Sequence, residues 1–188
     1  MPPQLQASTE ASAKRALSRS LTALAKRDAD VAQWMAKIGK PAPRIRPTGF
    51  EGFFRAIVSQ QVSIAAASGI WRRLEEGLGE VAPDRVLACD AEALRSFGLS
   101  RQKALYARGL AEAVVSGELD FEELHAADDE AAIATITKLK GLGRWSAEIY
   151  LLFAMQRPDV WPANDLAVQE AMRVLKNLPT RPDEKRLR

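Results

Sequence analysis

The chain has 188 residues, of which 47% are hydrophobic, so it can form one compact domain or two small lobes around a buried core. Its single cysteine, Cys89, excludes an internal disulfide framework and a cysteine-ligated iron–sulfur cluster, and a single histidine argues against a conventional zinc site. No apolar run approaches the roughly 20 residues of a membrane span, and the N-terminus has no apolar signal segment. These features indicate a reducing, cytoplasmic setting and no membrane partner.

The net charge of +3 only weakly indicates nucleic-acid binding, but the charge is unevenly distributed. Residues 1–50 carry nine Lys or Arg against three Asp or Glu, so the remainder sums to −3. Two basic clusters in that remainder lie beside glycine-containing turns, where a phosphate contact would form. They are Arg101, Lys103 and Arg108, followed by Lys138, Lys140 and Arg144. Solvated helix faces are the alternative interpretation of each cluster.

Apolar residues recur at helical spacing along most of the chain, and no segment alternates as a strand would. Proline, glycine and capping residues separate the periodic segments, with a Pro/Arg linker at residues 41–47. The predicted helices span residues 9–26, 31–38, 50–59, 64–78, 83–89, 91–97, 101–116, 121–126, 130–138, 144–155 and 165–175. The sequence therefore predicts an all-α protein.

The most informative segment is LKGLGRWSA at residues 139–147, which lies between two predicted helices. Gly141 and Gly143 allow a tight turn there, because glycine adopts positive φ at little cost. The second helix then begins with N–H groups that have no intrahelical acceptor, and its dipole favours a phosphate. Lys140 and Arg144 add positive charge. A plain glycine-rich turn between two helices is the alternative.

This segment resembles the hairpin of the helix-hairpin-helix DNA glycosylases, whose usual form is L-P-G-hydrophobic-G-x-x-[T/S]-A, with Lys140 at the usual proline. Two further segments match that superfamily in the expected order, FEGFFRAIVSQQVS at residues 50–63 and VWPANDLAVQ at residues 160–169. FGLSRQKA at residues 97–104 also fits. The similarity covers about residues 48–176 and is strongest to the DNA-3-methyladenine glycosylase II, or alkylbase DNA glycosylase, type.

The resemblance implies a two-lobed helical glycosylase fold with no iron–sulfur cluster and no N-terminal β domain. We expect residues 1–47 to form N-terminal helices that pack with the C-terminal segment, and residues 48–162 to form a helical domain with the helix-hairpin-helix at about 133–155. Residues 163–188 would hold the catalytic helix and a truncated part of the second lobe. We also expect a monomer that associates with the nucleoid in the cytoplasm.

The resemblance further implies a monofunctional enzyme of base excision repair, which flips an alkylated purine of the 3-methyladenine type out of duplex DNA and hydrolyses its N-glycosidic bond. Asp165 falls on the catalytic carboxylate, where the helix dipole favours the ionised form and an oxocarbenium-like sugar can be stabilised. An ordinary helix cap is its alternative role, and one side chain can fill both. A non-catalytic helix-hairpin-helix DNA-binding module and a helical protein–protein adaptor are the alternative functions.

Trp145 occupies the position at which bifunctional relatives place a Schiff-base lysine, so no AP-lyase activity is expected. The same resemblance assigns Trp145, Ile149, Tyr150 and Trp161 to a base pocket, because an electron-poor cationic base stacks well on aromatic rings. Ile149 stands where some relatives have a pocket aromatic. For Tyr150 and Trp161, however, core packing is the favoured interpretation.

The resemblance also implies a wedge and a cation site. Gln60 or Gln61 would fill the gap left by the flipped base, and Gln61 falls where some relatives have an apolar wedge; a polar interhelical turn is the alternative. No cofactor is expected beyond a structural Na+ or K+ held by the backbone carbonyls of Thr137, Leu139 and Leu142. The residues predicted to contact DNA are Gln60, Gln61, Arg101, Lys103, Lys140, Gly141, Leu142, Gly143, Arg144 and Ser146.

Overall fold

The computed structural model describes residues 3–188, and side chains from Ala11 onward. Within this range the chain forms twelve α-helices and no β-strand, which confirms the all-α prediction. The helices are α1 (Pro3–Arg27), α2 (Ala29–Ile38), α3 (Gly49–Ser59), α4 (Ile64–Leu78), α5 (Pro83–Ala88), α6 (Ala91–Ser96), α7 (Arg101–Val115), α8 (Phe121–Ala126), α9 (Asp129–Thr137), α10 (Arg144–Phe153), α11 (Leu166–Leu175) and α12 (Glu184–Leu187).

The helix boundaries follow from capping residues that are visible in the sequence. At eight helices a Ser or Asp side chain accepts N–H groups of the first turn, which replaces hydrogen bonds that the helix itself cannot make. These residues are Asp28, Ser63, Asp90, Ser100, Asp120, Asp128, Asp165 and Asp183. Each cap therefore fixes where its helix begins.

The structure differs from the predicted helices at both chain ends. α1 begins at Pro3, six residues before the predicted start at residue 9. The short helix α12 was not predicted, because four residues are too few for a periodic apolar pattern. Among the described residues, no helix combines the length and apolarity needed to span a membrane.

The chain divides into two compact units. The central unit is Arg46–Val160, and the terminal unit combines the chain up to Ile45 with Trp161–Arg188. The sequence had placed these boundaries at residues 47/48 and 162/163, within about two residues of the observed ones.

The central unit contains the hydrophobic core, which runs from Phe50 to Val160. Its centre is the apolar face of α3, whose Phe53 and Phe54 are completely buried. α7 packs across this face through small residues such as Ala104 and Ala107, which allow close helix approach. The core thus fixes α3, α7 and α10, the helices that border the candidate site.

Polar contacts join the helices of the terminal unit. Lys176, at the end of α11, donates hydrogen bonds to Asp28 at 2.6 Å and to Asp30 at 2.8 Å, both at the start of α2. Lys40 bonds Ser18 and Thr22 of α1. The segments that precede and follow the central unit therefore contact each other.

Candidate nucleic-acid interface and catalytic carboxylate

The segment between α9 and α10 forms a tight hairpin. Gly141 has a φ of +90°, a conformation that L side chains rarely adopt. Leu142 turns into the core and its N–H donates to the Leu139 carbonyl at 3.1 Å. Gly143 is the extended N-cap of α10, and the first intrahelical bond of α10 is donated by Ala147. The N–H groups that open α10 therefore have no acceptor within the helix, which is the arrangement of an anion site.

Tyr106 of α7 explains why residue 141 is glycine. A Cβ atom added at Gly141 would lie 2.2 Å from Cδ2 of Tyr106, well inside van der Waals contact. The ring therefore packs directly on the turn and supports it from the side. Sequence reasoning did not single out Tyr106, because the contact joins segments 35 residues apart and leaves no local pattern.

Gln60 contacts the hairpin from the α3–α4 turn. Its side-chain Nε2 donates to the Gly141 carbonyl at 2.7 Å. The structure thus gives this side chain an internal partner, which corrects the prediction that it projects outward as a wedge. Gln61, the other wedge candidate, is exposed and has a φ of +53°.

Arg144, the first residue of α10, is engaged by two carboxylates. Its guanidinium donates to Glu130 at 3.0 Å and to Glu148 at 3.0 Å, and the Glu148 side chain is buried. The hydrogen bonds from Glu130 and Glu148 raise the pKa of Arg144 despite partial burial. Its charge is thus balanced by two acids of the protein, and a phosphate contact by Arg144 stays a prediction.

Two further cations of the predicted clusters have internal roles. The Lys103 ammonium donates to the Val58 carbonyl at 2.8 Å, near the end of α3, and burial lowers its pKa. Arg108 donates to the carbonyls of Leu87 and Cys89 at the end of α5. Lys103 therefore anchors a helix end, and its assignment as a DNA contact stays a prediction.

Arg101, Lys138 and Lys140 are exposed, and their side chains make no hydrogen bond or ion pair in the described part of the chain. The structure brings all three to one groove of about 790 Å3 between α7 and the hairpin. Both basic clusters of the sequence thus contribute to the same surface. Glu112 and Glu118 also line this groove, but its cations outnumber these acids, so its charge suits a phosphodiester chain.

Several predicted DNA contacts can involve the backbone alone. The side chains of Leu142 and Ser146 are buried, and Gly141 and Gly143 have none. The hairpin therefore presents peptide groups more than side chains, as expected where phosphate oxygens are bound by N–H donors.

The base-pocket candidates of α10 have different environments. Trp145 is 39% exposed, whereas Tyr150 is 4% exposed and stacks on Phe53 with ring centroids 3.8 Å apart. The Tyr150 hydroxyl accepts the Gly49 N–H at 2.8 Å, and desolvation raises its pKa. Tyr150 is thus a core residue, the role that the sequence favoured. Ile149 is buried and Trp145 is the accessible aromatic.

In the terminal unit, Asp165 is the N-cap of α11. Its Oδ1 accepts the N–H groups of Ala167 at 2.8 Å and Val168 at 2.9 Å, and the residue is partly buried. The Gln169 amide bonds the Ala163 carbonyl at 3.0 Å, which orders the loop that precedes Asp165. The cap and the loop together fix the direction of the carboxylate.

Trp161, at the start of the same loop, is 44% exposed and its indole donates to the Leu187 carbonyl at 3.1 Å. The favoured core interpretation of Trp161 was therefore wrong: the indole lies at the surface, tied to α12.

The cation site at Thr137, Leu139 and Leu142 stays a prediction. The Leu139 carbonyl accepts one hydrogen bond from Leu142, which leaves its second lone pair for a ligand. An all-oxygen donor set of this kind suits a hard monovalent cation. No group of three or more His, Cys, Asp or Glu side chains forms an alternative metal site in the described residues.

A glycine hairpin that opens a helix beside a basic groove is the geometry of a helix-hairpin-helix nucleic-acid-binding motif. The family model of the HhH-GPD superfamily base excision DNA repair proteins matches residues 54–188, and the chain belongs to this superfamily. The resemblance inferred from the sequence is thereby confirmed.

Individual relatives are consistent with this assignment. DNA-3-methyladenine glycosylase 1 of Schizosaccharomyces pombe is 35% identical over 71% of this chain, and the match spans 60% of that relative's length. A crystal structure of a DNA-3-methyladenine glycosidase from Bacillus halodurans superimposes with a TM-score of 0.76 at 34% identity, covering 87% of this chain and 76% of that one. The S. pombe 3-methyladenine DNA glycosylase in complex with abasic DNA gives 0.79 at 30% identity, covering 89% and 84%.

Proposed function

We propose that this protein is a monofunctional DNA glycosylase of base excision repair that flips alkylated purines of the 3-methyladenine type out of duplex DNA and releases them by hydrolysis. The names of the relatives support the substrate class. The observation that carries the catalytic part is the fixed carboxylate of Asp165 at the N-terminus of α11.

The hairpin would hold the DNA backbone. The N–H groups that open α10 and the positive end of its dipole favour a phosphate, and the cations of the basic groove extend this attraction. Backbone contacts fix the register of a protein on DNA without reading its sequence. A damage-specific enzyme needs such sequence-independent backbone contacts, since its lesions occur in any sequence context.

Asp165 would stabilise the reacting sugar. An N-alkylated purine carries positive charge and leaves readily, so the enzyme mainly has to stabilise the oxocarbenium-like deoxyribose and admit water. A carboxylate serves this purpose if it is ionised and does not rotate. The two backbone bonds to Oδ1 supply the orientation.

The residues of the hairpin support hydrolysis without strand cleavage. Trp145 follows Arg144 at the start of α10, so the position offers no amine for a Schiff base. An electron-poor base can instead stack on the exposed indole of Trp145. Trp145 would therefore contribute to base binding.

The test compares Asp165→Asn with Asp120→Asn. Asp120 caps α8 through Oδ1 in the same way, with bonds to Glu122 at 2.7 Å and Glu123 at 3.0 Å, so it controls for the loss of a charged cap. Asparagine caps helices about as well as aspartate, so both variants should fold.

We expect Asp165→Asn to bind duplex DNA containing a tetrahydrofuran abasic-site analogue normally, but to release bases from methylated duplex DNA about a hundredfold or more slowly, by chromatography of the released bases. Asp120→Asn should match the wild type in both assays. Near-normal release by Asp165→Asn would reject the catalytic role. If the wild type binds the duplex but releases no base, a non-catalytic DNA-binding module remains.

A further inference from the structure

A single side chain joins the two turns of the central unit on which the proposed function depends. Nε2 of Gln60 donates to the carbonyl of Gly141 at 2.7 Å, across 81 residues of sequence. Gln60 is the C-cap residue of α3 and opens the α3–α4 turn, whereas Gly141 is at the apex of the hairpin. The bond therefore connects two turns. One is the α3–α4 turn, which carries the exposed wedge candidate Gln61, and the other is the hairpin, which is proposed to hold a phosphate.

Both ends of this connection are held rigidly. At the hairpin, the Tyr106 ring packs on Gly141, and Leu142 is buried in the core. At the other end, the Gln60 N–H donates to the Ile57 carbonyl at 3.3 Å, and Lys103 holds the Val58 carbonyl at 2.8 Å. A hydrogen bond between two supported segments fixes their separation and is more than a transient surface contact.

The direction of the next residue follows from this tie. Gln61 has a φ of +53° and is exposed, as is Val62 beside it. The left-handed conformation reverses the chain, so that Gln60 reaches toward the hairpin while its neighbour faces solvent. Fixing Gln60 therefore also fixes the position of Gln61 relative to the hairpin.

We propose that Gln60 is a positioning residue that couples the hairpin's hold on the DNA backbone to displacement of the base by the α3–α4 turn. This inference rests on the proposed glycosylase function and concerns how its two DNA-contacting turns act together. A wedge can replace a flipped base only if it stands at a set distance from the phosphate that the protein holds. The Gln60–Gly141 bond supplies that distance.

The proposal predicts that loss of the Gln60 amide affects DNA affinity and the rate of base excision to different extents. Without the amide donor, the hairpin and the basic groove still attract phosphates, so affinity should change little. The α3–α4 turn would drift, however, and a misplacement of about 1 Å can slow a positioned reaction about a hundredfold. A residue that only stabilised the fold would instead lower binding and excision together.

The variants are Gln60→Ala, Gln60→Glu and the control Ser59→Ala. Ser59 lies beside Gln60, and within the described residues its hydroxyl bonds the Arg55 carbonyl of α3, so its loss leaves the connection to the hairpin intact. Gln60→Glu keeps the shape of the side chain. Its ionised carboxylate repels the Gly141 carbonyl, whereas its protonated form can donate a hydrogen bond.

The first measurement needs no substrate. Hydrogen exchange of the free protein, followed by mass spectrometry, should show faster exchange of the hairpin segment 138–144 in Gln60→Ala, while Ser59→Ala matches the wild type there. Unchanged exchange would mean that the bond does not hold the hairpin, and would overturn the proposal. This result is independent of whether the wild type proves to be a glycosylase.

The second measurement uses methylated duplex DNA in single turnover and a tetrahydrofuran duplex for affinity. Gln60→Ala should bind within about threefold of the wild type and excise about tenfold or more slowly. Gln60→Glu should also excise more slowly than the wild type, because its ionised carboxylate repels the Gly141 carbonyl instead of donating to it. Excision by Gln60→Ala within twofold of the wild type, or equal losses of binding and excision, would each overturn the proposal.

Discussion

Arg144 and Lys140 lie four residues apart on either side of the hairpin, yet their charges act on different partners. Arg144 is bonded to Glu130 and Glu148, whereas Lys140 is exposed on the basic groove. A cation that already neutralises two protein acids adds little net attraction for a phosphate. When a solvated cation contacts a phosphate, counterions condensed on the DNA are released, which favours binding at low salt.

We therefore expect Lys140→Ala to weaken DNA binding and to reduce the slope of log K against log salt by about 0.9, the value for one phosphate contact. Fluorescence anisotropy of a tetrahydrofuran duplex over a series of salt concentrations measures this slope. Lys185→Ala, on the exposed surface of α12, is the matched control and should leave it unchanged. An unaltered slope in Lys140→Ala would contradict the groove as a DNA contact.

Arg144→Ala should act on stability instead. Removing the guanidinium leaves the buried Glu148 carboxylate without this partner, which we expect to lower the free energy of unfolding by about 1–3 kcal/mol, because Arg144 is itself partly solvated. Urea denaturation measures the change. Adding Glu148→Gln removes the buried charge, so the double variant should lose less than the sum of the single losses. Additive losses would argue against coupling of the pair.

Gly141 is constrained by both its backbone angle and its neighbour. Gly141→Ala should lower the free energy of unfolding by about 2–4 kcal/mol, from the positive φ and the collision with Tyr106, and should abolish the hairpin's DNA contact. Gly109→Ala, in the middle of α7 with nothing within 4 Å of the added Cβ, should stabilise the protein by about 0.5–1 kcal/mol. Thermal and urea unfolding measure the stability of both variants. A Gly141→Ala variant as stable as the wild type would show that the turn does not require glycine at this position.

At the scale of helices, the sequence was informative where local rules decide the structure. Helices 64–78 and 121–126 coincide with α4 and α8, because Ser63 and Asp120 cap the first turns and the apolar period is clear. The glycine turn and the cap at Asp165 were also predicted from local residue types, whereas the DNA-binding and catalytic roles came from the family resemblance and stay predictions.

The side-chain partners of the site could not be predicted in this way. Lys103 and Arg144 belonged to clusters that were assigned to DNA, yet contacts with Val58 and Glu130, which lie on other helices, occupy them. Gln60 and Tyr106 support Gly141 from distant segments. Such pairings depend on how helices pack in three dimensions, which residue spacing along one helix does not encode.

The pairing of α2 with α11 is a second element-scale feature, and it depends on charge. The hydrogen bond from Lys176 lowers the pKa of Asp28, and bonds from Asp28 and then Asp30 raise the pKa of Lys176. A carboxylate with a depressed pKa stabilises the fold above its unfolded value of 3.8 and loses this effect as the pH falls through the folded value. The raised lysine stabilises below 10.5 and loses its effect as the pH rises through its folded value.

Lys176→Met should therefore lower the melting temperature by a constant amount across neutral pH. The difference from the wild type should shrink below about pH 3.8 and above about pH 10.5. Differential scanning calorimetry over a pH series provides the measurement, with the exposed Lys185→Met as control. A difference that does not vary with pH at either extreme would mean that the lysine acts through packing alone.

At the scale of the whole molecule, apolar burial is concentrated in one unit. The hydrophobic cluster runs from Phe50 to Val160. In the described part of the terminal unit, by contrast, Ala163 alone is a buried hydrophobic residue. Since burial of apolar surface is the main favourable term in folding, the central unit has the stronger basis for independent stability. It also contains the hairpin and the basic groove, but not Asp165.

A fragment of residues 46–160 should accordingly fold by itself with a cooperative thermal transition and bind a tetrahydrofuran duplex in a salt-dependent manner. It should release no base from methylated DNA, because the proposed catalytic carboxylate is absent. Circular dichroism, fluorescence anisotropy and chromatography of released bases test the three points, with the Lys140→Ala fragment as control for specific binding. Base release by the fragment would show that the chemistry lies in the central unit and would remove Asp165 from the mechanism, whereas an unfolded fragment would show that the core requires the terminal helices.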